Sequence, residues 1–174
     1  MLEHAVDHFK NEGKTVFVLG HSYGAFVIQN YLANYESKAD NYGIVSGRIN
    51  PSKEAQESFL KGINGNFENG TTFVSQNGRD FSQFPKSDLT YYQSRQLLKA
   101  AIAEVSFLES LIDVDMSNMI YVYNPADEQV GGMNNEEINF LKIKGVQLYE
   151  TEHPHSRSIY GFVDAIESGA VSLK

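Results

Sequence analysis

Along the chain the apolar positions change period, and the changes mark out alternating elements. Leu2, Ala5, Val6 and Phe9 recur at i, i+3, i+4 and i+7, which predicts an amphipathic helix closed by Gly13. "TVFVL" (15–19) is then a continuous, partly β-branched run, the pattern of a short strand buried on both faces. Helical spacing returns from Tyr23 to Tyr35, and "YGIVS" (42–46) reads as a second buried strand. Asn50-Pro51 predicts an N-cap and a first-turn proline, opening a helix to about Lys61.

Residues 62–87 lose any helical period and are rich in Gly, Asn, Ser and Phe. Within them "TTFVSQNGRDF" sets Asn77-Gly78 between strand-like arms, which predicts a small hairpin. A long helix capped near Asp88 comes next, with Leu97, Ala100, Ala101, Glu104, Phe107, Leu108 and Leu111 on helical spacing. "MIYVYN" (119–124) predicts a third buried strand, followed by the loop "PADEQVGG". "NNEEINFLKIKG" reads as a capped helix ending at Gly145, "VQLYE" (146–150) as a fourth strand, and Arg157 to Glu167 as a last helix. Strands and helices alternate, so the fold class is α/β, a mostly parallel sheet flanked by helices. The whole of 1–174 is read as one domain, with 50–113 as a helical and irregular cap inserted over one end of the sheet.

Composition narrows the function without choosing it. The chain has 174 residues, 41% of them hydrophobic and 21% charged, which suits one globular domain with a real core. A net charge of −8 with no Lys/Arg run argues against a nucleic-acid partner. Zero cysteines exclude disulfides, thiol catalysis and cysteine-ligated metals. Their absence fits a reducing compartment, and a cytoplasmic location is the expectation. No apolar stretch approaches the roughly 18 residues of a membrane span, and "MLEHAVDHFKNEGK" carries acids and histidines where a signal peptide would be apolar. No cofactor or metal is implied. His4 and His8 share a helix face at i, i+4, but with no third ligand placed beside them they read as solvated.

The candidate chemistry sits where the first strand stops. Gly20-His21-Ser22-Tyr23-Gly24 joins that strand to the next helix. A serine hydroxyl needs a base to take its proton and donors to hold the developing oxyanion. A strand–turn–helix elbow exposes the serine at the carboxyl end of the sheet and turns the first N–H groups of the helix toward the oxyanion. Gly20 and Gly24 would relieve crowding on either side of Ser22. His21, immediately before the serine, points away from it and is expected to pack beneath the turn.

These features resemble the α/β-hydrolase fold, with residues 20–24 similar to the nucleophile elbow of its lipases and esterases. That family orders its triad Ser, Asp, His, each after a strand. "IYVYNPADEQV" resembles the acid-bearing strand and loop, which implies Asp127 as the acid, Glu128 pointing elsewhere. "VQLYETEHPHS" offers two histidines; counted from the start of the strand the resemblance puts His153 first, with His155 the alternative. It implies a serine hydrolase acting on a carboxylic ester or similar acyl bond of a small molecule through an acyl-enzyme, with the Tyr23 N–H as one oxyanion donor. The same triad serves acyl transfer to an acceptor other than water, and a catalytically silent binding module is the alternative reading. Phe67, Phe73, Phe81, Phe84, Tyr91 and Tyr92 of the insert either line an acyl pocket or, the preferred reading, form the cap's small core.

The resemblance covers roughly the C-terminal two thirds of the fold. About four strands normally precede the elbow strand, among them the loop that gives the second oxyanion N–H, and no such loop lies upstream of Thr15. The expectation is either a fragment of a longer protein or a shortened hydrolase with its second donor elsewhere. A sheet edge left open beside the elbow strand would invite pairing with another copy, giving a homodimer.

Overall fold

The computed structural model describes residues 1–61, 63, 65–75 and 106–174. In chain order these form α1 (Leu2–Asn11), β1 (Phe17–His21), α2 (Tyr23–Asn34), β2 (Asn41–Val45), α3 (Lys53–Leu60), β3 (Gly65–Glu68) and β4 (Thr72–Ser75). Beyond these lie α4 (Phe107–Ser110), β5 (Met119–Tyr123), α5 (Asn135–Ile143), β6 (Gln147–Glu150), a 3-10 turn (His155–Arg157) and α6 (Ile159–Glu167). The main sheet has the order β1-β2-β5-β6 with every pairing parallel. β3 and β4 make a separate antiparallel hairpin.

Alternation along the central strands explains why helices cover both faces. Tyr42 and Ile44 of β2, with Met119 and Tyr121 of β5, join a core that includes Val6 of α1, Ile28 and Leu32 of α2, and Leu141 of α5. Their neighbours Val45, Ile120 and Val122 point the other way and pack with Phe162 and Ala165 of α6. This is a three-layer α/β domain. Among the described residues no helix is long and apolar enough to cross a membrane.

Three local expectations are corrected, and a hairpin that the sequence did not place is found. The first strand is displaced to Phe17–His21 and is not buried on both faces: it lies at an edge of the four-stranded sheet, and Leu19 is 42% exposed. A continuous apolar run does not distinguish an edge strand from a central one. The helix expected from Asn50 starts at Lys53, with the Ser52 hydroxyl accepting the Ala55 N–H. Asn50 instead accepts the Phe107 N–H on its side-chain oxygen, at 3.0 Å. The hairpin turns at Asn69-Gly70, where both residues take positive φ (50° and 70°), as a type I′ turn requires. Its second arm is the "TFVS" that the sequence pattern offers as a first arm, and Asn77-Gly78 lies outside the described residues. The last helix begins at Ile159, preceded by the 3-10 turn. The helix expected from Asp88 falls largely outside the described residues; within them it gives only the short α4.

One buried carboxylate ties the loop after β2 to the start of α5. Glu137, fully buried, accepts from the Arg48 guanidinium (3.0 and 2.6 Å) and from the N–H groups of Ile49, Asn50 and Asn134 (3.0, 3.0 and 2.9 Å). The bond from Asn134, returned by the Asn134 side chain to the Glu137 N–H, completes a capping box. Removing the carboxylate would leave a guanidinium and three amides short of a partner. Glu137→Ala is therefore expected to cost about 3–5 kcal/mol, read as a lowered urea midpoint without a change in slope.

Candidate active site

Parallel pairing sends the carboxyl ends of all four strands to one edge of the sheet, and the candidate residues gather there. Ser22 is the first residue past β1 and the N-cap of α2. Its φ of 56° and ψ of −114° lie outside the regions side chains ordinarily occupy, a strain on the order of 1–3 kcal/mol. Two backbone bonds hold it: the Ser22 N–H donates to the Val45 carbonyl at 2.9 Å, and the Ser22 carbonyl accepts the Ala25 N–H at 3.0 Å.

Of the two glycines beside the turn, only Gly20 is required by space. A Cβ on Gly20 would sit 2.4 Å from the Gly24 carbonyl oxygen and 2.8 Å from Ile28 Cδ1. At Gly24 a Cβ would meet nothing within 4 Å among the described residues. The expectation that both relieve crowding is thus corrected: the helix backbone passes over Gly20, and Gly24 supplies the passing carbonyl.

Ser22, Asp127 and His155 come together. His155 Nε2 lies 2.9 Å from Ser22 Oγ, and His155 Nδ1 lies 3.0 and 2.9 Å from the two Asp127 oxygens. With a carboxylate on Nδ1, that nitrogen carries the proton and Nε2 accepts from the serine hydroxyl. Asp127 follows β5 in a loop that curls around its own carboxylate, with Oδ1 accepting the N–H groups of Gln129 and Val130 at 2.9 and 3.0 Å. Burial pushes the Asp127 carboxyl up, but the His155 hydrogen bond, the two amides and the imidazole charge outweigh it and hold the group below its usual range. A hydroxyl bonded to an imidazole whose far nitrogen is fixed by a buried carboxylate is the arrangement that activates serine as a nucleophile.

His153, placed first by spacing, is elsewhere. Its Nε2 lies 2.9 Å from Asp164 of α6, on a half-exposed surface. The count from the strand fails because the chain turns between the two histidines. The His153 N–H bonds to Thr151 Oγ1 and its carbonyl accepts from Asn124 Nδ2. Pro154 then opens the 3-10 turn that begins at His155. The proline was the available signal, since it commonly precedes or opens a helical turn.

Two flanking residues have parts that the sequence did not reveal. Glu128 accepts the His155 N–H at 3.2 Å, and His21, half-exposed, bonds through Nε2 to the His155 carbonyl at 2.9 Å. The hairpin is fastened to the acid-bearing loop as well. The Phe67 N–H donates to the Glu128 carbonyl (2.8 Å) and the Gly132 N–H to the Gly70 carbonyl (2.7 Å). Phe67 is buried against Phe73 at 5.3 Å, so this pair serves the hairpin's own packing. Phe81, Phe84, Tyr91 and Tyr92 lie outside the described residues. Tyr23 opens α2, where the first amides lack intrahelical acceptors, and its ring stacks on Phe26 at 5.5 Å. His8 pairs with Glu12 on the exposed face of α1.

No family model and no curated protein matches the sequence; the likeness is to solved structures. An esterase of Pyrococcus furiosus superposes at a TM-score of 0.55 and 17% identity, over 97% of this chain and 56% of that one. A homoserine O-acetyltransferase of Bacillus anthracis gives 0.56 and 12%, over 97% and 62%. A hydrolase of Pseudomonas aeruginosa gives 0.50 and 13%, over 97% and 68%. The fold is that of the α/β hydrolases. The chain spans about three fifths of the length of the first two structures.

This geometry sets the expected behaviour of three variants. Gly20→Ala is expected to lower stability by at least about 1–3 kcal/mol, as overpacking does. Gly24→Ala should leave it unchanged or raise it by up to about 1 kcal/mol, as a glycine replaced within a helix; urea midpoints of the pair decide. Because the Asp127 pKa is lowered on folding, its contribution is complete above about pH 4 and is lost as pH falls below that through the folded-state value. Asp127→Asn should therefore be less stable than the parent near neutrality, with the gap closing in acid.

Proposed function

We propose that the protein is a serine hydrolase of carboxylic esters or similar acyl bonds of small molecules, working through Ser22, His155 and Asp127. One observation carries the reading: the continuous hydrogen-bonded path from Ser22 Oγ through both ring nitrogens of His155 to a buried carboxylate. Its position past β1, on an α/β-hydrolase fold, supports the same reading.

In this mechanism Ser22 Oγ attacks the acyl carbonyl carbon as its proton passes to His155 Nε2. Asp127 keeps Nδ1 protonated and stabilises the imidazolium. The Tyr23 N–H donates to the oxyanion. When the tetrahedral intermediate collapses, Nε2–H protonates the leaving alcohol, and an acyl group stays on Ser22. Water then gives a proton to Nε2 and attacks the acyl carbon; the acid leaves and Ser22 recovers its hydrogen.

A fluorophosphonate probe tests the reading directly. The folded protein should be labelled at Ser22 and should hydrolyse short aryl esters. Ser22→Ala should lose labelling, with turnover falling by at least about 10³-fold. His155→Ala should behave nearly as badly, whereas His153→Ala should stay within about twofold of the parent, because its ring engages Asp164 instead. Absence of labelling in folded protein would leave the silent binding module as the better reading.

A further inference from the structure

The backbone of His155 is held as firmly as its ring. Its carbonyl oxygen accepts two side-chain donors, His21 Nε2 and Ser158 Oγ, both at 2.9 Å. The hydroxyl of Ser46 in turn donates to Ser158 Oγ at 2.7 Å. His21 ends β1, Ser46 follows the last residue of β2, and Ser158 lies between the 3-10 turn and α6. Three separate segments thus converge on one carbonyl, two directly and one through a shared hydroxyl. Ser46 and Ser158 are buried, so the polar chain is shielded from competing water.

Ser46 shows that this convergence is more than convenient packing. Its φ of 50° is left-handed, where glycine is the ordinary occupant and a side chain is strained. The position is fixed by the Ser46 N–H, which donates to the Val122 carbonyl at 3.0 Å. A serine there gives up conformational ease and gains one thing, a hydroxyl aimed at Ser158. His21 is constrained in a complementary way. Bonding to a carbonyl requires Nε2 to carry a proton, so the ring acts at this contact only as a donor. Its ring lies 5.0 Å, centre to centre, from the His155 ring.

We infer that His21, Ser46 and Ser158 are positioning residues, a clamp made on the His155 carbonyl by His21 and Ser158 and braced through Ser158 by Ser46, that holds the imidazole in register with Ser22. Asp127 sets the ring's tautomer and rotation about its own axis, but a single partner on Nδ1 leaves the main chain free to shift. The carbonyl clamp, with Glu128 on the N–H side, removes that freedom. Misplacement of a reacting group by about 1 Å costs up to 10²-fold, so the clamp acts on kcat while leaving substrate affinity alone. The inference rests on the serine-hydrolase reading for its catalytic consequence, though not for its structural content.

The test uses four variants and two readouts. His21→Leu and Ser158→Ala each delete one donor to the carbonyl; His21→Gln keeps an N–H near the place of Nε2; Ser46→Gly relieves the backbone strain while removing the hydroxyl. The first readout is kcat and KM on an aryl ester. The second, independent of turnover, is the downfield proton resonance of His155 Nδ1–H, assigned by its loss in His155→Gln. Expected are kcat values lowered about 10- to 100-fold in His21→Leu and Ser158→Ala at unchanged KM, with the Nδ1–H resonance broadened or shifted upfield. His21→Gln should recover most of both. Ser46→Gly is the sharpest case, with a melting temperature equal to or above the parent's alongside a lower kcat and a weakened resonance, which a purely structural serine would not produce. If Ser22-dependent turnover is present and neither kcat nor the resonance moves in any variant, the clamp is overturned and the hydrolase reading stands. If the parent turns over no ester while the resonance still responds, the hydrolase reading fails and the clamp stands.

Discussion

Every contact at this site depends on four strands running in the same direction. Parallel pairing places His21 beside Val45, Val45 beside Val122, and Tyr123 beside Glu150, so the chain leaves the sheet at one edge four times. Ser22, Ser46, Asp127 and His155 all lie within a few residues of those exits. Were any one strand reversed, its exit would lie on the far side of the domain, about 15 Å away for a five-residue strand. Direction is in turn fixed by the helices between the strands, since parallel neighbours need a crossover and the two-faced apolar strands need covering on both sides.

The edge so created is crowded, and the crowding is resolved by specific residues. α2 passes so close to β1 that the Gly24 carbonyl occupies the space of a Cβ on Gly20. Ser22 and Ser46 both hold backbone conformations that serine does not favour. Polar groups taken from water at the same place are not left wanting: among the described residues no buried side-chain nitrogen or oxygen lacks a hydrogen-bond partner. Strain in two backbone positions is offset by hydrogen bonds and by the apolar packing beneath. The geometry at this edge is thereby over-determined by its surroundings.

Much of this was legible from residues alone, and the parts that were not share a cause. The alternation of apolar runs settled the α/β class because period and run length are local properties. The serine turn and the acid loop were legible because each sits directly after a strand, so that counting along the chain tracks position in space. The histidine was misjudged because the chain bends at His153 and enters a 3-10 turn at His155, whereas counting from a strand assumes an extended path. Burial of the first strand was misjudged because an apolar run says nothing about how many neighbours it has. The hairpin at Asn69-Gly70 was not picked out, since its support lies in the Phe67–Phe73 packing and in bonds to the acid loop more than fifty residues on. The roles of His21 and Glu128 were invisible for a plainer reason: each bonds the backbone of His155, far along the chain. Ser46 reaches the same carbonyl only through Ser158, a relation no local pattern encodes.

The hairpin also bears on how this protein can be taken apart. By position in the chain it belongs to the long segment between β2 and β5, which looks like a unit to be exchanged whole. By its bonds it belongs to the loop that carries Asp127, against which Gly70 fits so tightly that a Cβ would fall on the Pro125 carbonyl. A substitute segment grafted between residues 50 and 113 would remove a wall of the acid's own housing along with whatever else it replaced. An exchange of that segment would have to cut after Ser75, keeping the hairpin with the scaffold and replacing only the residues beyond that cut.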